Sequence, residues 1–226
     1  MSLLKIPFIL SAAIGFHVSL TAPSTPETNE ILTSVSLLEK SIIPITALCT
    51  TFMKGMVSVA AAGEIAVILQ QFLQLPHFPA ALGRPDASRT TSAFLFGSLL
   101  FTLSGLIRWQ CYRELGRFFT FNLSLRKNHR LITTGPYSVV RHPSYTGLPL
   151  CALGAYGMSS WVRESGMLNI WAVRMLVGTW CALITIITIT LMGRTRKEDV
   201  MLKEEFGEEW EEWAKRVRYR LVPGIY

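Results

Sequence analysis

Two short segments in the second half of the chain contain the residues whose types and spacing could do chemistry. The first reads GPYSVVRHPSYTG, with Arg141 and His142 directly before Pro143. Proline is well suited to the first turn of a helix, so Arg141 and His142 would lie at the positive end of that helix. An imidazole or backbone amides at such an end can hold an anionic group. A basic pair that binds lipid headgroups is an equally good interpretation of these residues alone.

The second segment lies about fifty residues later and reads RTRKEDVMLKEEFGEEWEEWAKRVRYRLVPGIY. Arg194 and Glu198 are four residues apart, so on a helix their side chains lie one turn apart on the same face. Both residues lie at the mouth of the fifth predicted helix, where they are candidates for chemistry. The alternative is an ordinary surface ion pair, which contributes well under about 1 kcal/mol.

The residues after Arg194 predict an amphipathic helix. Apolar side chains recur at helical spacing, at Leu202, Phe206, Trp210, Trp213 and Val217. The segment also carries equal numbers of acidic and basic residues, so its attraction to an anionic membrane surface is weak. We therefore expect its aromatic face to cap a helix bundle rather than to lie on lipid.

The elements that position these segments are predicted to be membrane helices. Half of the 226 residues are apolar and only 16% are charged, against about 25% in soluble domains, which excludes a disordered chain and disfavours a soluble enzyme. Apolar runs cover 6–20, 42–75, of which 56–75 spans best, 91–107, 145–161 and 168–192. The sequence thus predicts an all-α, polytopic membrane helix bundle of about five transmembrane helices, with a cytosolic amphipathic C-terminal helix. A cleaved signal peptide is the alternative for the first run.

The positions of charged and small residues predict how the helices are oriented in the membrane and which of them pack closely. Most of the 22 Lys and Arg residues lie between the third and fourth runs or after the fifth, so the positive-inside rule predicts that both segments face the cytosol. Glu64, in the second run, is expected to face the bundle interior, paired or protonated. Small residues around it, from Gly55 to Gly63, would let another helix approach closely. The four cysteines are widely spaced, and we expect no metal site.

Together, GPYSVVRHPSYTG and the segment from Arg194 resemble the isoprenylcysteine carboxyl methyltransferase family, whose relatives include the phospholipid methyltransferases. The resemblance covers about Asn122 to Tyr226. It implies an S-adenosylmethionine-dependent methyltransferase of the endoplasmic reticulum membrane, multi-pass, with its active site facing the cytosol. The implied partners are the lipid bilayer and prenylated CaaX proteins, whose C-terminal carboxylate is methylated, and no nucleic acid. Residues 1–90 would be N-terminal membrane helices, and 91–226 the methyltransferase core.

The resemblance also assigns site residues. The substrate carboxylate is expected at Arg194, as the catalytic and substrate-binding residue. The cofactor contacts are expected at Asn122, where the family has a glutamine, and at His129, Arg130, Leu131, Ile132, Tyr137, His142, Pro143, Ser144, Tyr145 and Glu198. Lys197 replaces an acid of the family's pattern, so the choice of Glu198 over Asp199 depends on the register.

Other functions remain open at this point. Methylation of a lipid amine such as phosphatidylethanolamine would require a base, with Glu64 or His142 as candidates. Arg194 argues against it, because a fixed cation repels an ammonium headgroup. A non-catalytic scaffold is a further alternative, and a sterol-type reductase, which shares a similar C-terminal region, is disfavoured by the chain length. No GxGxxG motif follows a strand, which excludes a soluble Rossmann-type methyltransferase.

Overall fold

Every regular element in the described part of the chain is a helix. The computed structural model describes residues 2–23, 37–75, 90–121, 128–158 and 171–224. The main helices are α1 (Lys5–Ser19), α2 (Leu37–Leu73), α3 (Ser92–Leu115), α4 (Pro143–Met158), α5 (Trp171–Phe206) and α6 (Glu208–Arg216). Short 3₁₀ helices cover Ser2–Leu4, Gly116–Phe118 and Gly135–Ser138.

The predicted membrane helix bundle is confirmed. Among the described residues, three helical segments are long and apolar enough to cross a bilayer: Ala47–Leu73, Ser92–Phe118 and Val173–Phe206. The first apolar run forms the shorter helix Lys5–Ser19. The fourth forms α4, which begins at Pro143 as its sequence predicts.

The helices alternate in direction across the bundle. α1 and α3 run parallel, since Ile9 packs near Phe94 and Ser19 Oγ lies 2.8 Å from Ser104 Oγ. α4 runs antiparallel to α3, and the Ser104 hydroxyl donates a 2.7 Å hydrogen bond to the Gly147 carbonyl. The ends of α1 and α3, the start of α4 and the end of α5 therefore lie at one end of the bundle.

α1 and α3 approach each other closely at two glycines. A Cβ atom on Gly15 would overlap the main chain of Phe101, and one on Gly105 would overlap the main chain of Gly15. Small residues of α2 also meet α1, because Ser58 Oγ lies 2.9 Å from His17 Nε2 and Ala61 packs against the cluster of Ile9, Ile68 and Phe94. The approach that the sequence predicts on α2 is thus seen at Ser58 and Ala61, whereas a Cβ atom on Gly55 or Gly63 would meet no described atom within 4 Å.

The opposite end of the bundle contains a buried ion pair. Lys5 and Glu64 form a salt bridge, with side chains only 2% and 7% exposed. The Lys5 ammonium also lies 4.4 Å from the centre of the Phe94 ring. The expectation that Glu64 faces the interior is confirmed, and its position far from the end of α3 removes it as a base for the site described below.

The C-terminal segment differs from the single amphipathic helix that its periodicity predicts. α5 continues without interruption to Phe206, and Gly207 then adopts a φ of 52°, which separates it from α6. This left-handed conformation is easy only for glycine. The break turns α6 back, so that Trp213 is buried against Tyr137 and Val217. The expected capping of the bundle by aromatic residues is confirmed.

Candidate active site

The C-terminal tail, which follows α6, is hydrogen-bonded directly to the RHP segment, residues 141–143, and to the first turn of α4. The backbone N–H of Arg141 donates to the Tyr219 carbonyl at 3.0 Å, and that of His142 donates to the Arg220 carbonyl at 2.8 Å. The Thr146 hydroxyl donates to the Leu221 carbonyl at 2.6 Å. These three hydrogen bonds join the residues at the start of α4 to the end of the second motif, and so hold the two motifs against each other.

The GPYS turn forms one wall of the site. Gly135 has a φ of 57° and starts a 3₁₀ helix that buries Tyr137. The indole N–H of Trp213 donates to the Tyr137 carbonyl at 3.1 Å. Burial raises the pKa of the Tyr137 phenol well above its ordinary value, so the phenol stays protonated and can donate a hydrogen bond. Leu131 and Ile132 pack against the same apolar cluster.

His142 is fixed by a buried carboxylate. Its Nε2 donates to Asp199 Oδ1 at 2.8 Å, and both side chains are almost fully buried. The other oxygen of Asp199 accepts a 2.8 Å hydrogen bond from Arg220 Nε and lies 3.5 Å from the Arg141 guanidinium. Asp199 therefore joins the RHP segment to the tail, and it orients the imidazole so that Nδ1 is turned away from it.

Glu198 lies on the other side of that imidazole. Its carboxylate is 4.0 Å from His142 Nδ1, and its side chain is 28% exposed. Its charge also acts on the phenols of Tyr137 and Tyr145. A partly exposed carboxylate between an imidazole and two phenols is suited to accept hydrogen bonds from a cationic ligand group.

Arg194 does not form the surface pair with Glu198 that is the alternative from the sequence. Its Nη1 donates to the Phe121 carbonyl at 2.8 Å. Its Nε is buried and has no hydrogen-bond partner among the described residues. The guanidinium therefore keeps unused donor capacity one helical turn from Glu198.

The structure brings together most, but not all, of the residues that the sequence predicts for the site. Tyr137, His142, Tyr145, Arg194 and Glu198 surround one region, with Pro143 and Ser144 buried in the first turn of α4. His129 lies further along, between the rings of Phe118 and Phe206 at 4.7 and 5.8 Å, and Arg130 is exposed. Asn122 lies outside the described residues.

Three residues of this region were not predicted from the sequence as site residues: Arg108, Asp199 and Arg220. Arg108 ends the apolar part of α3, where a cation is expected at the membrane surface, yet it is only 4% exposed. The sequence signal that could have identified Arg108 is its position directly after the apolar run 91–107. The partners of Asp199 lie about twenty and fifty-seven residues away, so no local pattern identifies them.

Two apolar cavities are lined by residues of α5 that precede Arg194. The larger, of about 330 Å³, is lined by Leu48, Cys49, Phe52, Met53, Met56, Leu176, Thr179, Trp180 and Leu183. The smaller, of about 30 Å³, is lined by Phe16, Leu20, Thr50, Met53, Leu148, Cys151, Ile187 and Thr188. Met53 lines both cavities, and their lining residues on α5 run from Leu176 to Thr188, six positions before Arg194.

Comparison with known proteins relates this arrangement to one family. Residues 97–162 match the sequence profile of the isoprenylcysteine carboxyl methyltransferase family. A probable protein-S-isoprenylcysteine O-methyltransferase of Oryza sativa subsp. indica is 26% identical over 159 residues, 67% of this chain and 72% of that protein.

Two further relatives share shorter stretches. Protein-S-isoprenylcysteine O-methyltransferase B of Arabidopsis thaliana is 30% identical over 125 residues, 54% of this chain and 55% of that protein. A delta(14)-sterol reductase of Gibberella zeae is 30% identical over 122 residues, but these are 46% of this chain and only 25% of the reductase. The resemblance to this family is thus confirmed, because residues 97–162, which contain GPYSVVRHPSYTG, match its profile and the two plant relatives carry its name.

Proposed function

We propose that this chain transfers a methyl group from S-adenosylmethionine to the C-terminal carboxylate of a prenylated cysteine, as the names of its plant relatives suggest. One observation carries the proposal. Arg194 and Glu198 lie one turn apart, do not pair with each other, and follow on α5 the residues that line two apolar cavities, the last of which is Thr188. A cation and an anion that are free of each other suit a reaction between a carboxylate and a sulfonium.

The residues present fit the methyl donor. Glu198 would accept hydrogen bonds from its α-amino group, since this carboxylate is partly exposed beside His142. Tyr137 and Tyr145 would form aromatic walls near the sulfonium, where ring faces attract a cation. When bound, S-adenosylmethionine supplies an electrophilic methyl group and leaves as a neutral thioether.

Arg194 would hold the acceptor. A planar guanidinium matches the two oxygens of a carboxylate, and its buried Nε has no other partner among the described residues. The acceptor needs no general base, because a carboxylate at cytosolic pH is already ionised. Arg194 would contribute by positioning the carboxylate in line with the methyl group, and exclusion of water from both ions would favour the reaction.

The apolar cavities would accommodate the prenyl chain. The smaller cavity reaches Thr188, which is about 9 Å along α5 from Arg194, and the larger begins about 16 Å away at Leu183. A lipid tail in these cavities would bring a terminal carboxylate to the mouth of the bundle. We propose that this mouth faces the cytosol at the endoplasmic reticulum membrane, in accord with the basic residues around it.

The geometry disfavours the alternative of methylating a lipid amine such as phosphatidylethanolamine. That nucleophile must lose a proton, but Glu64 is at the far end of the bundle, paired with Lys5. His142 keeps a basic Nδ1, but this nitrogen lies 4.0 Å from Glu198, which we propose binds the methyl donor rather than the acceptor. Arg194 would also repel an ammonium headgroup.

Methyl transfer in washed membranes tests this function. Radiolabelled S-adenosylmethionine would be supplied with a minimal prenylcysteine or with phosphatidylethanolamine. We expect label in a base-labile methyl ester of the prenylcysteine and none in the phospholipid. Label in the phospholipid alone would refute the proposal. Failure of the protein to bind S-adenosylhomocysteine would instead favour the alternative that the protein is a non-catalytic scaffold.

A pair of variants on α5 tests the route of the prenyl chain. Thr188→Trp fills the smaller cavity, so we expect a raised KM for prenylcysteine with unchanged affinity for S-adenosylhomocysteine. Thr190→Trp, at an exposed position on the same helix, is the matched control and should behave as wild type. Equal kinetics in the two variants would exclude this route.

A further inference from the structure

Arg108 is a buried cation at the inner edge of the candidate site. It is only 4% exposed. Its Nη1 donates to the Ser144 carbonyl at 2.9 Å, and its Nε donates to the Tyr112 hydroxyl at 3.1 Å. Gly147 leaves the space for this side chain, because a Cβ atom there would lie 2.9 Å from Arg108 Cγ.

The charge of Arg108 has no anionic partner among the described residues. Its two hydrogen bonds go to a neutral carbonyl and a neutral hydroxyl, and its other neighbours are ring faces of Tyr112, Phe119 and Phe121. Other buried charged groups of the described chain are paired, as Lys5 is with Glu64. A buried and unpaired charge is costly, so its presence next to a candidate site points to an anionic ligand group.

Arg108 and Arg194 converge on the same region from two helices. The Arg108 guanidinium lies 5.1 Å from the centre of the Phe121 ring, while Arg194 donates to the Phe121 carbonyl. Both positive charges act on the Tyr145 phenol, together with the negative charge of Glu198. The region thus contains two arginines and the partly exposed carboxylate of Glu198 around Tyr145.

This set of charges matches the two ligands of the proposed reaction, on which the inference rests. The ligands bring two carboxylates, one on the methyl donor and one on the acceptor, together with an ammonium and a sulfonium. If Arg194 holds the acceptor and Glu198 holds the ammonium, one carboxylate has no partner. His142 is a weaker candidate for it, because Nε2 is already bound to Asp199.

We propose that Arg108 is a second carboxylate-binding arginine of the site and pairs with the carboxylate of the methyl donor. Its contact with Ser144 places it beside the first turn of α4, within the RHPSY motif. Arg108 thereby separates the two carboxylates, each on its own guanidinium.

Calorimetry on the purified full chain in detergent tests this pairing with two probes. One is S-adenosylhomocysteine, and the other is the same thioether lacking its carboxylate. We expect Arg108→Gln to weaken the first by at least about ten-fold, the effect of a lost charge-assisted hydrogen bond, and to leave the second within about two-fold of wild type. Arg108→Lys keeps the charge and should lose less affinity for S-adenosylhomocysteine. If Arg108→Gln does not fold, Arg108→Lys is measured in its place.

Arg113→Gln is the matched control, since Arg113 is on the same helix but exposed. It should bind both probes as wild type does. Equal weakening of both probes by Arg108→Gln, or no weakening of either, would overturn the inference, because a structural arginine does not discriminate by the ligand's carboxylate. Failure of the wild type to bind S-adenosylhomocysteine would instead refute the proposed function.

Discussion

At the scale of single residues, Glu198 and Asp199 are chemically alike and adjacent, yet they have different environments. Successive residues of a helix point about 100° apart, so they face different neighbours. Asp199 is 4% exposed and holds His142 and Arg220, while Glu198 is partly exposed beside Tyr145. This arrangement supports Glu198 as the ligand-binding acid and assigns Asp199 to holding the motifs together.

Asp199→Asn tests the second part of that assignment. The amide presents an N–H₂ group to donors, and it leaves the cations around it without their charge partner. We expect a loss of about 2 to 3 kcal/mol in the free energy of unfolding and weaker binding of S-adenosylhomocysteine. Thermal unfolding and calorimetry measure these effects, with the exposed Glu208→Gln as the control. An asparagine variant as stable as that control would contradict the role of Asp199.

The proposed roles of Arg194 and Glu198 predict different kinetic effects when each residue is substituted. Arg194→Ala should lower turnover and raise KM for the acceptor with little change in cofactor affinity, whereas Glu198→Ala should chiefly weaken the cofactor. Arg194→Lys keeps the charge but lacks the planar fork, so we expect activity to fall about ten-fold or more. Methyl transfer assays with both ligands titrated measure this. Full activity in the lysine variant would exclude a carboxylate clamp at Arg194.

At the scale of elements, the close contact between α1 and α3 positions Arg108 and Tyr112 at the site end. The Tyr112 hydroxyl, which accepts from Arg108, donates to the Val18 carbonyl at 2.9 Å. α1 thus supports the site although it contributes no proposed ligand residue. The glycine contact makes this possible, since a larger residue would push the helices apart.

Gly105→Ala tests that contact. The new methyl group would overlap the main chain of Gly15, so we expect a destabilisation of about 1 to 3 kcal/mol and a melting temperature several degrees lower. Gly63→Ala makes the same change at a helical glycine where an added Cβ would meet no atom of the described residues within 4 Å. It should leave stability unchanged or raise it by up to about 1 kcal/mol. Equal melting temperatures for the two variants would show that the contact is not tight.

At the scale of the whole molecule, the two ends of the bundle differ in how their charges are arranged. Lys5 is neutralised by Glu64 at one end, while the basic residues of both motifs lie at the other. A single lysine neutralised in this way contributes little to the positive-inside signal, so the many basic residues at the other end should determine the orientation.

Tags in sealed microsomal vesicles test the resulting topology. We expect protease to cleave tags at Arg126 and at the C-terminus. A tag at the N-terminus should be protected, because α1 runs parallel to α3 and α5 and therefore begins at the opposite end of the bundle. Glu64→Gln, which leaves Lys5 without its charge partner, should increase the fraction of molecules with an exposed N-terminus. Protection of either of the first two tags would contradict the proposed orientation.

The sequence by itself determined the fold class, the family resemblance and the positions of the two motifs. Long apolar runs dictate helices in a bilayer, because each backbone amide must be paired within its own segment. Pro143 marks the start of α4, and Gly135 marks the turn that buries Tyr137, since both signals come from local backbone chemistry.

Only the tertiary structure decided which charges are paired and which remain available to a ligand. Asp199 is bound by His142 and Arg220, Glu64 by Lys5, and Arg108 by no described carboxylate. Each of these outcomes depends on helices that are distant in sequence and meet at a particular depth. Periodicity reports which face of a helix is apolar, but it does not report which faces meet, and burial of a charge follows from that meeting.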